Sequence, residues 1–137
     1  MSQTLFYAAA GIGRRVEGRA LVAKDGFSAR YDLDRVRGVF SRPTHKLSGE
    51  SYVGRVIILD AAKGGVATAW MLYEMKVRGI VPAALVLNAV NPIMVQGAAF
   101  ADFTMISGFD LDITEAIANG ARVEVDPTGE HPFIRVI

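Results

Sequence analysis

Two short apolar segments, separated by one helix-like segment, limit what this chain can fold into more than any other feature. Arg55–Leu59 is mostly β-branched and Ala83–Leu87 is equally apolar, as in strands that are covered on both faces. Between them, two adjacent glycines interrupt the chain, and Ala67–Arg78 predicts a helix that ends at Gly79. Because a strand, a helix and a second strand in one sheet form a right-handed parallel crossover, the centre of the chain predicts an α/β fold.

Further strands are predicted on both sides of this unit. The N-terminal part is rich in β signals, with strands at Val16–Val22 and Phe27–Tyr31, and the polar segment Arg35–Gly49 is predicted as a long surface loop. The C-terminal part adds two helices and three strands: a helix from Pro92 to about Phe100 capped by Asn91, a strand at Thr104–Ser107, a short helix opened by a capping box at Asp112 and ending at Gly120, and strands at Arg122–Val125 and Pro132–Ile137. We predict one compact domain that spans residues 1–137.

The composition excludes several classes of function. Lys and Arg number 15 against 14 Asp and Glu, and these charges are interspersed, so the chain lacks the basic surface of a nucleic-acid binder. No apolar run is long enough to span a membrane, and the first residues lack the basic region of a signal peptide, so we expect a cytoplasmic protein. The chain has no cysteine, which excludes disulfides and a cysteine-held iron–sulfur cluster within it. Its two histidines, His45 and His131, have no metal-ligand spacing, so no metal site is predicted.

The segment Lys63–Thr68 is the best candidate for a ligand site. It joins the first buried strand to the helix through small residues, so its backbone N–H groups and the helix N-terminus would favour an anion. Lys63 would add a positive charge, and Thr68 a hydroxyl. A turn that merely joins a strand to a helix is the more frequent meaning of such a pattern, and both interpretations stay open at this point.

Two polar segments before this loop are weaker candidates. His45 stands beside Arg42 and Lys46, where it would act as a proton donor or an anion ligand, but the pattern alone favours a solvated loop histidine. Asp32 belongs to a cluster of mixed charges that would hold a partner or a substrate carboxylate. An exposed surface whose charges compensate one another is the simpler interpretation of that cluster.

The helix after the glycines carries several large apolar side chains. Trp70, Met71, Leu72 and Met75 are spaced so that part of the set shares one helix face, and core packing is the default interpretation. Because Trp and Met are also enriched at protein interfaces, a partial role in subunit contact is the alternative.

Three stretches occur in the order of a known family's motifs. His45–Val56 is similar to the family pattern His-Pro-x-x-Gly-x-Ser-x-x-Gly-Lys-Val, and Lys63-Gly64 followed by Ala69–Glu74 takes the place of the family's glycine-serine loop and helix. Gly79–Ala84 then leads to Asn91-Pro92-Ile93 and Gly97-Ala98. With these stretches, which cover more than half of the chain, it resembles the small subunit, or swivelling domain, of aconitase X-type enzymes.

The resemblance implies a swivelling β/β/α fold and a dehydratase, that is, a hydro-lyase. It implies an aconitase X-type large subunit as partner, which binds an iron–sulfur cluster and most of a small anionic substrate, so that no cofactor is expected in this chain. The small subunit would close the shared active site. Family substrates are mevalonate 5-phosphate and cis-3-hydroxy-L-proline. Charged residues make up 21% of the chain, which therefore lacks the Lys and Glu enrichment typical of hyperthermophile proteins. This slightly favours a bacterial dehydratase over the archaeal mevalonate role.

The same resemblance implies the site residues. Catalytic roles fall on Thr68, Lys63 and His45, and substrate binding on Lys63, Gly64, Gly65 and Ser51. The family loop carries serines, one of which transfers a proton, and this chain has Gly65, Val66 and Ala69 at those positions. Thr68 is the only hydroxyl left in the loop and is out of register. A module that kept the fold but lost the chemistry is therefore the alternative function, and a free-standing anion-binding protein is a third.

Overall fold

An eight-stranded mixed sheet forms the body of the protein in the computed structural model, which describes residues 4–62 and 66–137. Across the sheet, the strands follow the order β1 (Leu5–Tyr7), β10 (Phe133–Val136), β9 (Arg122–Asp126), β3 (Val16–Val22), β6 (Val56–Ala61), β7 (Ala84–Ala89), β8 (Met105–Ser107) and β2 (Ala10–Ile12). A separate hairpin consists of β4 (Leu33–Asp34) and β5 (Val39–Phe40), and the helices are α1 (Val66–Arg78), α2 (Pro92–Phe100) and α3 (Ile113–Ala116).

Four neighbouring strands at the centre of the sheet are parallel. β6 lies between β3 and β7, with Val56 opposite both Ala20 and Ala84, and β8 continues the parallel set beyond β7. The predicted strand–helix–strand unit is thereby confirmed. Since parallel strands end on the same side, the last residues of β3, β6, β7 and β8 share one edge of the sheet, called the carboxyl edge below.

The sheet closes on itself through the segment 5–12. Its first half, β1, pairs with β10, and its second half, β2, pairs with β8 at the other end of the sheet. Only Ala8 and Ala9 separate the two halves, and their N–H groups donate to Pro132 O at 2.8 Å and to Gly108 O at 2.7 Å, respectively. Beside β1, Val136 N donates to Thr4 O at 2.8 Å. This closed arrangement hides strand edges that would otherwise pair with other chains.

Alternation along the strands produces two cores. Inside the closed sheet lie small and β-branched residues, with Ile113 and Ile117 packed against them: Ala20, Val56, Ile58, Ala84, Val86, Ile106, Val123, Val125 and Ile134. The outer face of the parallel strands carries Leu21, Ile57, Leu59, Leu85 and Leu87, which are covered by α1, α2 and the β4–β5 hairpin. Two sheet layers and one helical layer give the predicted β/β/α fold.

Several predicted boundaries need correction. Phe27–Tyr31 is not a strand, because only Phe27 pairs, in an isolated bridge with Ala62, before the chain enters turns. Arg35–Gly49 is not a plain surface loop, since it contains β5 and buries Phe40 and Leu47 against the outer core.

The C-terminal part and the short edge strands add two further differences. α3 ends at Ala116 rather than near Gly120, and Asp112 caps it through Thr114 N without the reciprocal Glu115 contact, because the Glu115 carboxylate pairs with Lys24. The sequence did not predict β1 and β2. No helix in the described ranges is long and apolar enough to cross a membrane.

Close packing of α1 against α2 generates a stability prediction. A Cβ at Gly97 would lie 2.7 Å from Ala69 Cα, so Gly97→Val forces the two helices apart. We expect a loss of about 2–3 kcal/mol in the free energy of unfolding, measured by urea denaturation. Ala99→Val on the exposed side of the same helix is the control, and it should cost under about 1 kcal/mol. Equal losses in the two variants would contradict the close approach.

Candidate functional site

Backbone pairing extends the carboxyl edge beyond β3 and β6. After β3, the chain turns so that Asp25 O accepts a hydrogen bond from Asp60 N at 2.8 Å, and Phe27 N donates to Ala61 O at 2.9 Å. Phe27 also bridges Ala62, the last described residue before the glycine loop. In both open and closed α/β sheets, ligands bind beyond the carboxyl ends of the parallel strands, so this edge is the candidate site.

Two helices begin at the carboxyl edge. α1 starts at Val66 without an acidic residue in its first turn, and α2 starts at Pro92, where Asn91 Oδ1 accepts from Met94 N at 2.8 Å. The positive ends of both helix dipoles therefore point toward the same region. This arrangement stabilises a negative charge beside the loop that joins β6 to α1.

A buried histidine holds the strand extension in place. The His45 ring is fully buried, with Nε2 2.8 Å from Gly26 O and with Nδ1 accepting from Leu47 N at 3.0 Å. Because Nδ1 accepts, the network assigns the proton to Nε2, which donates to the carbonyl. The ring also stacks on Phe40 at 4.8 Å. The expectation of a solvated loop histidine is thus wrong, and both ring nitrogens already have partners.

Asp32 lies beside this histidine and is also buried. Its side chain is 5% exposed, and it accepts from Arg42 Nε at 2.6 Å and from Ser28 N at 2.9 Å. The interpretation of this carboxylate as an exposed surface charge is therefore wrong. Through its hydrogen bonds with Ser28 and Arg42, the Asp32 carboxylate instead connects the segment before β4 to the loop after β5.

Asp25 lines a cavity of about 230 Å³, together with Ser28, Tyr31 and Arg42. Burial raises the pKa of its carboxyl group, but hydrogen bonds from the N–H groups of Lys46 and Gly26 outweigh this effect and lower it, with a smaller contribution from the Arg42 guanidinium. Asp25 is therefore ionised at neutral pH and can accept hydrogen bonds at the edge, but it is a poor proton donor.

On the other side of the edge, Asn88 connects two acidic residues. Its Nδ2 donates to Asp60 Oδ1 at 2.9 Å and to Asp112 Oδ1 at 2.8 Å, and its Oδ1 accepts from Ile113 N at 2.9 Å. Hydrogen bonds from the Thr114 and Asn88 side chains lower the pKa of Asp112 to about 2. Asn88 was not among the site residues predicted from the sequence, although a polar residue directly after the apolar residues 84–87 of β7 is a visible signal.

The structure brings some predicted site residues together and separates others. Lys63, Gly64 and Gly65 lie outside the described residues. Thr68 sits in the first turn of α1 near the edge, but it is only 2% exposed. His45 lies beneath the edge, as described above.

Ser51 lies elsewhere. The adjacent Tyr52 N donates to Gly38 O at 3.0 Å, and Gly38 packs against Ile80, which follows the C-terminal end of α1. Because α1 rises about 1.5 Å per residue, its end at Arg78 lies roughly 15 Å from Thr68. Ser51 is therefore exposed at the opposite edge of the sheet, away from the other site residues.

Comparison with known proteins identifies this arrangement. Residues 6–134 match the sequence profile of the aconitase X swivel domain. The chain belongs to the aconitase X swivel domain family. The predicted resemblance is confirmed over nearly the whole chain, including most of the segment of β1 and β2, which were not predicted from the sequence.

The matches to individual relatives extend over most of this chain and most of each relative. The phosphomevalonate dehydratase small subunit of Methanopyrus kandleri is 31% identical over 115 residues, which is 84% of this chain and 85% of that protein. Its counterpart from Methanothrix thermoacetophila is 32% identical over 118 residues, 86% of this chain and 85% of the relative. The structure of Thermococcus kodakaraensis aconitase X in its holo-form has a TM-score of 0.86 at 20% identity and covers 99% of both chains, which supports the fold.

An iron–sulfur cluster does not fit the residues of this swivel domain. The chain contains no cysteine to supply thiolate ligands. Among the residues that the structure describes, no group of three His, Asp or Glu side chains is placed to hold a metal ion. The carboxyl edge therefore does not supply a cluster, and what its described part offers an anion is the N-termini of α1 and α2.

The lowered pKa of Asp112 predicts how the stability of the fold depends on pH. Its pKa of about 2 in the folded chain lies below the ordinary value of 3.8, so its stabilising contribution is complete above pH 4 and disappears as the pH falls toward 2. Asp112→Asn keeps the cap and the Asn88 contact but removes this titration. We expect it to lower the free energy of unfolding at pH 7 by about 1 kcal/mol, given solvent screening, and to flatten the loss between pH 4 and pH 2.

Chemical denaturation across this pH range measures the effect. Asp110→Asn, two residues away on an exposed side chain, is the matched control for the loss of one carboxylate. If both variants show the wild-type slope below pH 4, Asp112 is not the titrating group.

Proposed function

We propose that this chain is the small subunit of a heteromeric aconitase X-type hydro-lyase and closes an active site formed with a larger, iron–sulfur-binding subunit. The observation that carries the proposal is the carboxyl edge, where α1 and α2 begin beside the loop that replaces the family's glycine-serine loop. The reaction would be the dehydration of a small hydroxy-carboxylate. The protein would act in the cytoplasm.

Mevalonate 5-phosphate is the first substrate to test. Relatives such as the Methanopyrus kandleri protein are named phosphomevalonate dehydratase small subunits. The phosphate and carboxylate of this compound also suit an edge that faces two helix N-termini. The charged fraction of the sequence slightly favoured a bacterial dehydratase, so cis-3-hydroxy-L-proline is the second substrate.

Binding and orientation are the roles that this chain's residues support. The α1 N-terminus and Lys63 would hold an anionic group of the substrate, with Gly64 and Gly65 allowing close approach of the backbone. His45 would act indirectly, because its hydrogen bond to Gly26 fixes the segment that pairs with Ala61 and Ala62. Thr68 is buried, and Ser51 lies at the far edge, so neither is our choice for contact with substrate.

Replacing Lys63 tests this role. In the complex with the large subunit, purified without oxygen, we expect Lys63→Ala to lower kcat/KM by about tenfold or more, because one charge-assisted contact to the substrate is lost. The main effect should be on KM. Lys76→Ala is the matched control, since Lys76 lies in the last turn of α1, and it should retain wild-type kinetics. Unchanged kinetics in Lys63→Ala would remove Lys63 from the site.

A catalytically degenerate module is the second candidate function. It is favoured by the family serine positions, which hold Gly65, Val66 and Ala69, and by the burial of Thr68. Under this function, the wild-type complex forms without turning over either substrate. Gly65→Ser and Val66→Ser, singly and combined, then decide the matter: turnover that appears only with a restored serine indicates lost chemistry. Wild-type turnover that requires both chains indicates an active branch that uses another proton acceptor.

A further inference from the structure

Part of the outward face of α1 is apolar, beside the charged residues of its last two turns. Leu72 and Met75 point into the core, as predicted, whereas Trp70 is 61%, Tyr73 40% and Val77 69% exposed. Core packing, the default interpretation of this set of residues, is therefore correct for Leu72 and Met75 but not for Trp70. The exposed residues recur at intervals of three and four, so they form a second apolar stripe on the side of the helix that faces away from the sheet.

The neighbouring helix α2 continues this apolar surface. Its nine residues include no charged side chain, and only Met94, Gly97 and Ala98 are buried. Ile93 is 44% and Phe100 65% exposed on its outer side. A surface helix of a protein that works alone normally presents charged residues to water, so an uncharged outer face indicates a missing neighbour.

Aromatic side chains from both helices form one ordered cluster. Phe100 lies 6.0 Å from Trp70 and 5.1 Å from Tyr73, ring centre to ring centre, and Trp70 meets Tyr73 edge-on at 6.3 Å. Between the helices, a groove of about 230 Å³ is lined by Ala69, Trp70, Ile93, Gln96, Gly97 and Phe100. The groove therefore has aromatic walls, formed by Trp70 and Phe100, that an inserted apolar side chain can contact.

Position and area indicate what covers this face. Trp70 lies near the start of α1 and Ile93 at the start of α2, so the groove borders the carboxyl edge. At about 150–250 Å² per aromatic side chain, the three exposed rings leave roughly 250–400 Å² uncovered. A stable interface buries about 800 Å² on each partner, so a second copy seated on this patch alone would bury too little. A partner that covers both the patch and the adjoining edge reaches the required area.

We propose that the face formed by Trp70, Tyr73, Ile93, Gln96 and Phe100 is the docking face for the large subunit, which presents an uncharged, apolar surface with a bulky side chain that fills the groove. This inference rests on the proposed function, because only the large subunit must cover the carboxyl edge. The face anchors the complex, whereas the edge beside it contributes to the active site.

The test separates docking from chemistry in the purified complex. Trp70→Ser and Phe100→Ser each raise the Kd for the large subunit by roughly 30-fold or more, the size expected for an aromatic anchor, as measured by sedimentation or calorimetry. At saturating large subunit, kcat and KM remain those of the wild type. Trp70→Phe keeps the aromatic contact and restores most of the affinity. Val36→Ser is the matched control, since Val36 is 67% exposed near the β4–β5 hairpin, and it leaves the Kd unchanged.

Each other outcome overturns the inference in a distinguishable way. Wild-type affinity in Trp70→Ser and Phe100→Ser places the large subunit on another face and leaves the proposed function intact. Self-association of the wild-type chain that Trp70→Ser abolishes, with unchanged affinity for the large subunit, assigns the face to a second copy. Failure of the wild-type chain to bind the large subunit defeats both proposals. Thermal unfolding of each variant confirms that these exposed positions leave the fold unchanged.

Discussion

The parallel pairing of β6 with β3 and β7 is the constraint on which the rest of the structure depends. Val56 to Leu59 are completely buried, and alternate residues enter the inner and the outer core. A shift of one residue in this register would exchange the two faces. It would also displace the segment that continues the ladder past Ala61, and with it the start of α1. The position of the candidate site is thus a consequence of backbone pairing at the centre of the sheet.

Long-range polar contacts then hold the irregular segments against this centre. His45 reaches Gly26 across 19 positions of sequence, and Asn88 connects β6 and β7 to the start of α3. Buried polar groups are costly when one partner is removed, so such contacts specify loop positions more strictly than apolar packing does. The candidate site consequently lies on irregular segments, and hydrogen bonds to the ends of buried strands fix the positions of these segments.

The sequence predicted those parts of the fold whose causes are local. The apolar run of β6, the helix end at Gly79 and the cap at Asn91 are each encoded within a few residues. β2 was missed because Ala10 and Gly11 have little preference for strands, and pairing with distant β8 decides their conformation. The burial of His45 and Asp32 depends on equally distant partners. The exposure of Trp70 reflects a second apolar stripe, which a periodicity analysis cannot distinguish from a core-facing one.

Closure of the sheet places Thr4 and Val136 side by side, joined by a backbone hydrogen bond. The described chain therefore enters and leaves the body of the protein at one place, so a connection at either end does not have to cross the sheet. The same geometry suits attachment of the domain to a larger chain, or its insertion into one, at a single junction. In either case the carboxyl edge and the aromatic face would keep their positions relative to each other.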